Sequence, residues 1–488
     1  MPRDRRPIAR LFILFCWAAL SLFLAGCAQT PRPPNVVFIL IDDLGWMDLG
    51  VQGSSFYETP HIDRLARQGA LFTQAYAASG VCSPTRASIQ TGRYPARLHI
   101  TDWIPGEGDV PGRTFMQVQD RDELPLGERT LAEAFRDAGY ATAHIGKWHL
   151  GGKGHLPTDQ GYDVNIAGND RGQPPTYFYP YERGDYVLDD LRLGGHEGEY
   201  LPDRLAQEAV GYIEQHAEQP FFLHLAFYEV HTPLEGKPEL IEKYKGRQPA
   251  ITDDERFSPL EGRRRLREVQ DHPTYAAMVE SMDTAVGVVL DALDRNGLTD
   301  DTIVVFTSDN GGLATVVNPP TSNKPLRWGK GWLYEGGIRV PLLVRWPGQV
   351  TPARLATPAM STDFYPTLLD MAGIRENRAV DGVSLWPALQ GGDLPERPLF
   401  WYYPHYHTSG SRPTAAVRQG PYKLFAYLED GRRELYNLDL DIGESTDLAA
   451  VQPERVAAMD RMLQDWLAGV GAQPPQAMPD SLASQDGP

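Results

Sequence analysis

Continuous apolar runs set the pattern of this chain. Asn35–Ile41 (NVVFILI) is a continuous apolar run, and residues 140–145, residues 220–228 and residues 302–307 are mostly apolar, with no regular polar alternation. Such runs predict strands covered on both faces, as in a parallel sheet, rather than the half-exposed strands that alternation would give. Segments with helical spacing lie between them: residues 59–69, residues 130–138 closed by Gly139, Leu201–Gln215, and residues 275–296. In the last of these Met278, Met282, Val286, Val289 and Leu293 share one face and Gly297 closes the helix. Residues 340–345 predict a further strand and residues 361–372 a helix. Residues 160–186 and 235–271 read as a loop and a solvated excursion. After Pro398 the pattern changes to short strands at hairpin spacing, Leu399–Tyr403, residues 415–418, Tyr422–Tyr427 and residues 434–437, followed by a helix over residues 453–467. The prediction is an α/β chain with a large, mostly parallel sheet and a small C-terminal α+β subdomain.

One short helix stands out. Residues 81–93 read Val-Cys-Ser-Pro-Thr-Arg-Ala-Ser-Ile-Gln-Thr-Gly-Arg. Pro84 suits a first helical turn, residues 85–91 keep helical spacing, and Gly92 suits the C-cap. Cys82 therefore sits at or just before a helix N-terminus, where free N–H groups and the helix dipole favour an anion, with Arg86 about one turn further in. A cysteine there is an activated thiolate, something made from a cysteine, or a buried structural residue.

Four of the predicted strands run into polar groups at their C-terminal ends. Asp42-Asp43 follow the first, Lys147 and His149 the second, His231 the third, and Asp309-Asn310 the fourth. A strand-end turn explains any one of these. Together they point to one site, because ligands of open α/β sheets bind beyond the C-terminal strand ends. Three carboxylates and an amide oxygen make a hard-oxygen set of formal charge −3, which suits Ca²⁺ or Mg²⁺ and not zinc. Arg86, Lys147 and Lys330 supply fixed positive charge, and His149 and His231 are titratable. Lys324 rivals Lys330, but the Gly-Lys-Gly setting favours Lys330. Sulfate-ester cleavage needs this combination: cations on the non-bridging oxygens, an in-line nucleophile, and an acid for the leaving oxygen.

The run Cys-x-Pro-x-Arg followed by Ala-Ser-Ile-Gln-Thr-Gly-Arg-Tyr-Pro resembles the signature of the type I sulfatases, and the resemblance continues in segments from about Asn35 to Tyr436. It implies an alkaline-phosphatase-like α/β sandwich with a large mixed, mostly parallel sheet and a small C-terminal domain. It implies that a formylglycine-generating or sulfatase-maturating enzyme converts Cys82 to formylglycine, whose hydrate attacks sulfur, displaces the alcohol and then expels sulfate. Asp42, Asp43, Asp309 and Asn310, with residue 82, match the metal ligands. Arg86 would hold the nucleophile and the metal shell, and His149 matches the base. Lys147 and Lys330 match the sulfate clamps, and His231 the acid. Residues 101–106, 165–181 and 401–406 resemble loops of bacterial polysaccharide-degrading sulfatases, which implies an exo-acting enzyme on sulfated carbohydrate. Trp103, Tyr177 and His405 are the substrate-binding candidates. The alternatives are a phosphomonoester or phosphonate hydrolase of the same superfamily, and a non-catalytic glycan-binding lipoprotein.

Charge and cysteine content narrow the setting. The 488 residues carry a formal charge of −18, and removing residues 1–26, with four arginines and one aspartate, leaves −21. An acidic body of this kind excludes nucleic acid as the expected partner. The Arg-rich start, the apolar run over residues 11–24 and Leu-Ala-Gly-Cys27 resemble a lipoprotein signal with Cys27 lipidated. The expectation is an exported bacterial lipoprotein held to a membrane by its lipid. Residues 1–27 are then signal and lipobox, 28–34 a tether, 35–396 the catalytic domain, 397–470 the C-terminal subdomain, and 471–488 a disordered tail. Of the three cysteines, Cys16, Cys27 and Cys82, no pair remains for a disulfide in the exported domain.

Overall fold

A computed structural model describes residues 32–109 and 112–479, and the compact unit within it begins at Pro34. The signal segment with Cys27, and residues 480–488, lie outside the described residues.

Asn35–Ile41 forms the middle of the molecule. All seven residues are buried, and the strand pairs in parallel with Thr302–Ser308 on one side and Phe221–Ala226 on the other. The eight-stranded sheet runs in the order Ala353–Leu355, Ala70–Phe72, Leu342–Arg345, Thr302–Ser308, Asn35–Ile41, Phe221–Ala226, Ala141–Gly146, Val164–Ile166. Leu342–Arg345 alone runs against its neighbours in this sheet. The continuous apolar runs are explained by how the central strand divides its side chains. Val37, Ile39 and Ile41 point into one core with helices Pro60–Gln68, Leu201–Gln215 and Pro273–Arg295. Val36, Phe38 and Leu40 point into the other, with helices Cys82–Thr91, Leu131–Asp137 and Phe364–Met371. Period-two alternation thus sends neighbouring apolar residues to opposite cores, and neither face needs polar positions.

Local signals act as expected at several ends. Thr130 caps Leu131–Asp137 with a full capping box involving Glu133, and Gly92 ends Cys82–Thr91 in the left-handed region. Two expectations are corrected. The excursion over residues 235–271 contains the helix Pro238–Lys245, because Tyr244 is fully buried and Lys243 pairs with Glu58 and Glu280. The tail is ordered in its first part: Met116 N–H donates to the Gln476 carbonyl and Met478 N–H to that of Thr114, each at 2.9 Å, and Met478 is buried. Those backbone pairs and one apolar anchor offset a polar composition.

Leu399–Tyr403, Thr414–Gln419, Tyr422–Tyr427 and Arg433–Asn437 form a four-stranded antiparallel sheet in that order, and Met459, Leu463 and Val470 of helix Pro453–Val470 join its core. This sheet is tied to the larger body by buried charge. Lys423 Nζ lies 2.9 Å from Glu335 and 3.0 Å from Glu444, all three side chains being fully buried. Tyr76 donates to Glu335 at 2.8 Å and receives a bond from Arg418 at 2.6 Å.

Candidate active site

The turn after Asn35–Ile41 is held on both sides. Asp42 N–H donates to the Glu229 carbonyl at 2.7 Å, and the Asp42 carbonyl accepts from Val230 N–H at 2.6 Å. Asp43 adopts φ 60°, and its N–H donates to Asp309 Oδ1 at 3.2 Å. The two neighbouring carboxylates are thereby fixed at one end of the sheet, beside the end of Thr302–Ser308. Asn310 Nδ2 donates to Asp43 Oδ1 at 2.8 Å, while its Oδ1 is buried without a partner.

Helix Cys82–Thr91 is buried along its whole length and delivers two side chains here. Arg86 places Nε and Nη2 on Asp309 Oδ2 at 2.9 and 2.8 Å and Nη1 on the Lys147 carbonyl at 2.8 Å. Cys82 Sγ lies 3.7 Å from Asp42 Oδ1 and 3.6 Å from Lys330 Nζ. Lys147 Nζ donates to Asp42 Oδ2 at 2.6 Å, and Lys330 Nζ reaches both Asp43 oxygens at 2.7 and 2.9 Å. His231 Nε2 stands 3.7 Å from Asp43 Oδ2. The structure therefore brings together every residue that the sequence put forward for metal and catalysis. Lys324 lies elsewhere, half-exposed and paired with Glu268.

Burial decides the protonation of this cluster. It pushes the Cys82 thiol up to about 12, beyond what Lys147 and Lys330 restore, so the protein groups around it do not by themselves activate an unmodified Cys82. Burial also pushes Asp42 up to about 8 against the pull of Lys147, with Asp309 and Asp43 adding to the rise. Asp43 goes the other way: burial raises it, but Lys330 and His231 outweigh that and hold it below the usual carboxylate range. His231 falls to about 3 through burial and then Lys330.

The hydrogen bonds also assign tautomers. His149 Nε2 lies 2.6 Å from the Ile104 carbonyl, which can only accept, so Nε2 carries the proton; Nδ1 is buried without a partner. Burial, then Lys147, depresses this ring well below the ordinary histidine value. It is a neutral proton acceptor. Asp42, Asp43, Cys82 and His231 offer atoms within 4.8 Å of one another, and the unpartnered Asn310 Oδ1 adds an acceptor. Crowded carboxylates and an orphaned amide oxygen fit a hard divalent cation.

The cluster opens into a cavity of about 710 Å³, whose lining includes Cys82, His149, His231, Lys330, Trp103 and His407. Trp103 lines it as expected. Tyr177 does not: it is fully buried, and its hydroxyl donates to the carbonyls of Tyr228 at 2.7 Å and His231 at 2.9 Å. It props the turn that carries His231. His405 is also corrected. It is buried outside this cavity, with Nε2 2.7 Å from Thr101 Oγ1 and Nδ1 2.7 Å from Gln117 Oε1. Two residues on, His407 takes the place expected for it. Arg171, Tyr186 and Glu107 also line the cavity and were not foreseen.

Residues 34–374 match the sulfatase family model, and residues 327–471 match the model for the C-terminal region of N-sulphoglucosamine sulphohydrolase. The chain belongs to the sulfatase family and is a sulfuric ester hydrolase. It is 32% identical to a sulfatase of Formosa agariphila, with 91% of each chain covered. It is 30% identical to the N-acetylgalactosamine-6-sulfatase of Canis lupus familiaris, covering 96% of this chain and 86% of that one. Among solved structures, Ps i-CgsB in complex with k-i-k-neocarrahexaose superposes with a TM-score of 0.71 at 30% identity, over 89% of this chain and 93% of that one.

Proposed function

We propose that this sulfatase removes a sulfate from the end of a sulfated carbohydrate, using formylglycine made from Cys82 and a bound Ca²⁺ or Mg²⁺. The observation that carries the reading is the setting of Cys82: a buried side chain at a helix start, 3.6 Å from Lys330 and 3.7 Å from Asp42. A thiol held mostly protonated is a poor nucleophile. An aldehyde hydrate at the same position supplies an oxygen nucleophile and a route for expelling sulfate, and the cation supplies positive charge to the sulfate oxygens. Asp42, Asp43, Asp309 and Asn310 would hold that cation.

The chain's own residues account for the rest. Lys147 and Lys330 bind sulfate oxygens, at short range and out of water, where fixed charges act with little screening. Arg86 fixes Asp309 and the Lys147 backbone at once, so it keeps the two sides of the site in register. His149 Nδ1 takes a proton from residue 82. His231 Nδ1 lies 2.7 Å from the Thr232 carbonyl, to which it donates, leaving Nε2 to carry a second proton to the leaving oxygen. The sulfate anion favours that charged form.

Carbohydrate is supported by the relatives, an N-acetylgalactosamine-6-sulfatase and a structure in complex with a neocarrahexaose. The cavity supports one sulfate at a time. Its lining includes Glu107, Asp122 and Asp170 against a single Arg171, while Lys330 lies beside Cys82 at 3.6 Å. An end residue reaches that pair more readily than an internal one. For location, we propose a lipoprotein anchored through Cys27. Cys27→Ala should release the protein from membranes, and unchanged retention would point to a transmembrane anchor instead. The function is tested by mass analysis of the Cys82 peptide and by product analysis on sulfated galactose, N-acetylgalactosamine and glucosamine oligosaccharides beside an aryl sulfate. Active protein bearing only cysteine at position 82 refutes the nucleophile. Turnover of the aryl sulfate alone refutes the carbohydrate.

A further inference from the structure

The loop after Leu399–Tyr403 carries His407 into the cavity, and nothing in the reaction above uses it. It is held tightly. Ser409 N–H donates to His407 Nδ1 at 3.1 Å, and Ser409 Oγ lies 2.8 Å from the same nitrogen. The Gly410 N–H donates to the His407 carbonyl at 2.8 Å, and Thr408 N–H to Glu107 Oε1 at 2.7 Å. On the other side the ring presses on the backbone beside Lys330, where a side chain at Gly331 would collide with Nδ1.

A backbone N–H can only donate, so Nδ1 is the acceptor and the proton of the neutral ring sits on Nε2. Burial, then the neighbouring Lys330, lowers the ring to about 3, so it stays in that single tautomer across the working range. His407 lines the cavity with Cys82 and Lys330, and with Nδ1 turned to its own loop the ring offers Nε2–H to whatever lies beside the sulfate. The immediate occupant there, on the proposed function, is the sugar carbon flanking the sulfated one. A neutral donor suits a hydroxyl, and the sulfate already has its lysines.

We propose that His407 is a specificity-determining residue, whose Nε2–H donates to the sugar hydroxyl flanking the sulfate ester. This rests on the carbohydrate reading above. The C-terminal sheet thereby takes part in substrate choice through one fixed side chain, not only in covering the catalytic body.

The test compares whichever sulfated sugar the full-length enzyme turns over with its analogues deoxygenated at each flanking carbon. Wild type should prefer the hydroxylated sugar over one analogue by about 10- to 100-fold in kcat/KM, the usual consequence of leaving a buried donor unpaired. His407→Asn keeps an acceptor at the Nδ1 position for Ser409 N–H and removes the outer donor. Its preference should fall to about one, with melting behaviour unchanged. His407→Gln places an amide N–H near the lost Nε2 and should restore most of the preference. A preference retained in His407→Asn, or absent from wild type, overturns the proposal while leaving the carbohydrate reading intact. Hydrolysis of aryl sulfate with no sulfated sugar accepted overturns both.

Discussion

Protein made without a maturing enzyme carries Cys82 as a thiol, and its reactivity is set by the burial described above. At pH 7.4 an ordinary cysteine of pKa about 8.5 is roughly 7% thiolate. With the thiol pushed up to about 12, the thiolate fraction falls to about 3 × 10⁻⁵, on the order of 3000-fold lower. The more basic thiolate is intrinsically the better nucleophile, which returns a factor of about 25 for a Brønsted slope near 0.4. The net expectation is alkylation about 100-fold slower than in the unfolded chain, before counting the barrier of a side chain only 2% exposed. The assay is iodoacetamide labelling at pH 7.4 with and without urea, read by mass on the tryptic peptide of residues 68–86. Labelling in the folded protein at the unfolded rate would refute the argument, because Cys82 would then be an exposed or activated thiolate and a rival nucleophile.

Arg86→Lys keeps the charge but loses the fork that holds Asp309 and the Lys147 carbonyl together, and kcat/KM on any accepted sulfate ester should fall by about 10²- to 10³-fold with KM changed less than kcat. Lys423→Met leaves Glu335 and Glu444 buried without their shared cation, and urea unfolding should show a loss of about 3–5 kcal/mol. The triple variant Lys423→Met, Glu335→Gln, Glu444→Gln should recover much of that. Elemental analysis of active enzyme should find calcium or magnesium, and exhaustive chelation should abolish turnover reversibly. Zinc alone, or activity that survives chelation, would remove the oxygen-ligand assignment.

The strand ends were legible because a buried parallel strand announces itself as a mostly apolar run, and four such strands end in polar groups whose convergence a strand-end turn does not explain. Asp42, Asp43, Asp309 and Asn310 could be placed from that alone, and Lys330 from its glycine setting. The substrate side was not. Tyr177 and His405 lie in aromatic loops where a sugar platform and an interior prop have the same composition. Tyr177 spends its hydroxyl on two carbonyls, and His405 spends both ring nitrogens on Thr101 and Gln117. His407, two residues away, is distinguished only by a loop bond from Ser409, which no periodicity reports. The order in the first residues of the tail is not legible locally, because their backbone partners, Thr114 and Met116, lie more than 350 positions back in the chain.

The burial of the helix Cys82–Thr91 has a consequence in time. Every residue of that helix is enclosed, and Cys82 is covered by Lys330, 248 positions later in the chain. An enzyme that modifies Cys82 must grasp the peptide around it, which the folded protein does not present. If Cys82 is converted as proposed, modification and folding compete for the same chain, and a molecule that closes over an untouched cysteine keeps its packing but lacks its nucleophile. On that proposal, the specific activity of a preparation reports a race run before the chain closes. Two batches of identical sequence and identical fold can differ in activity through nothing but the speed at which residues near Lys330 arrived.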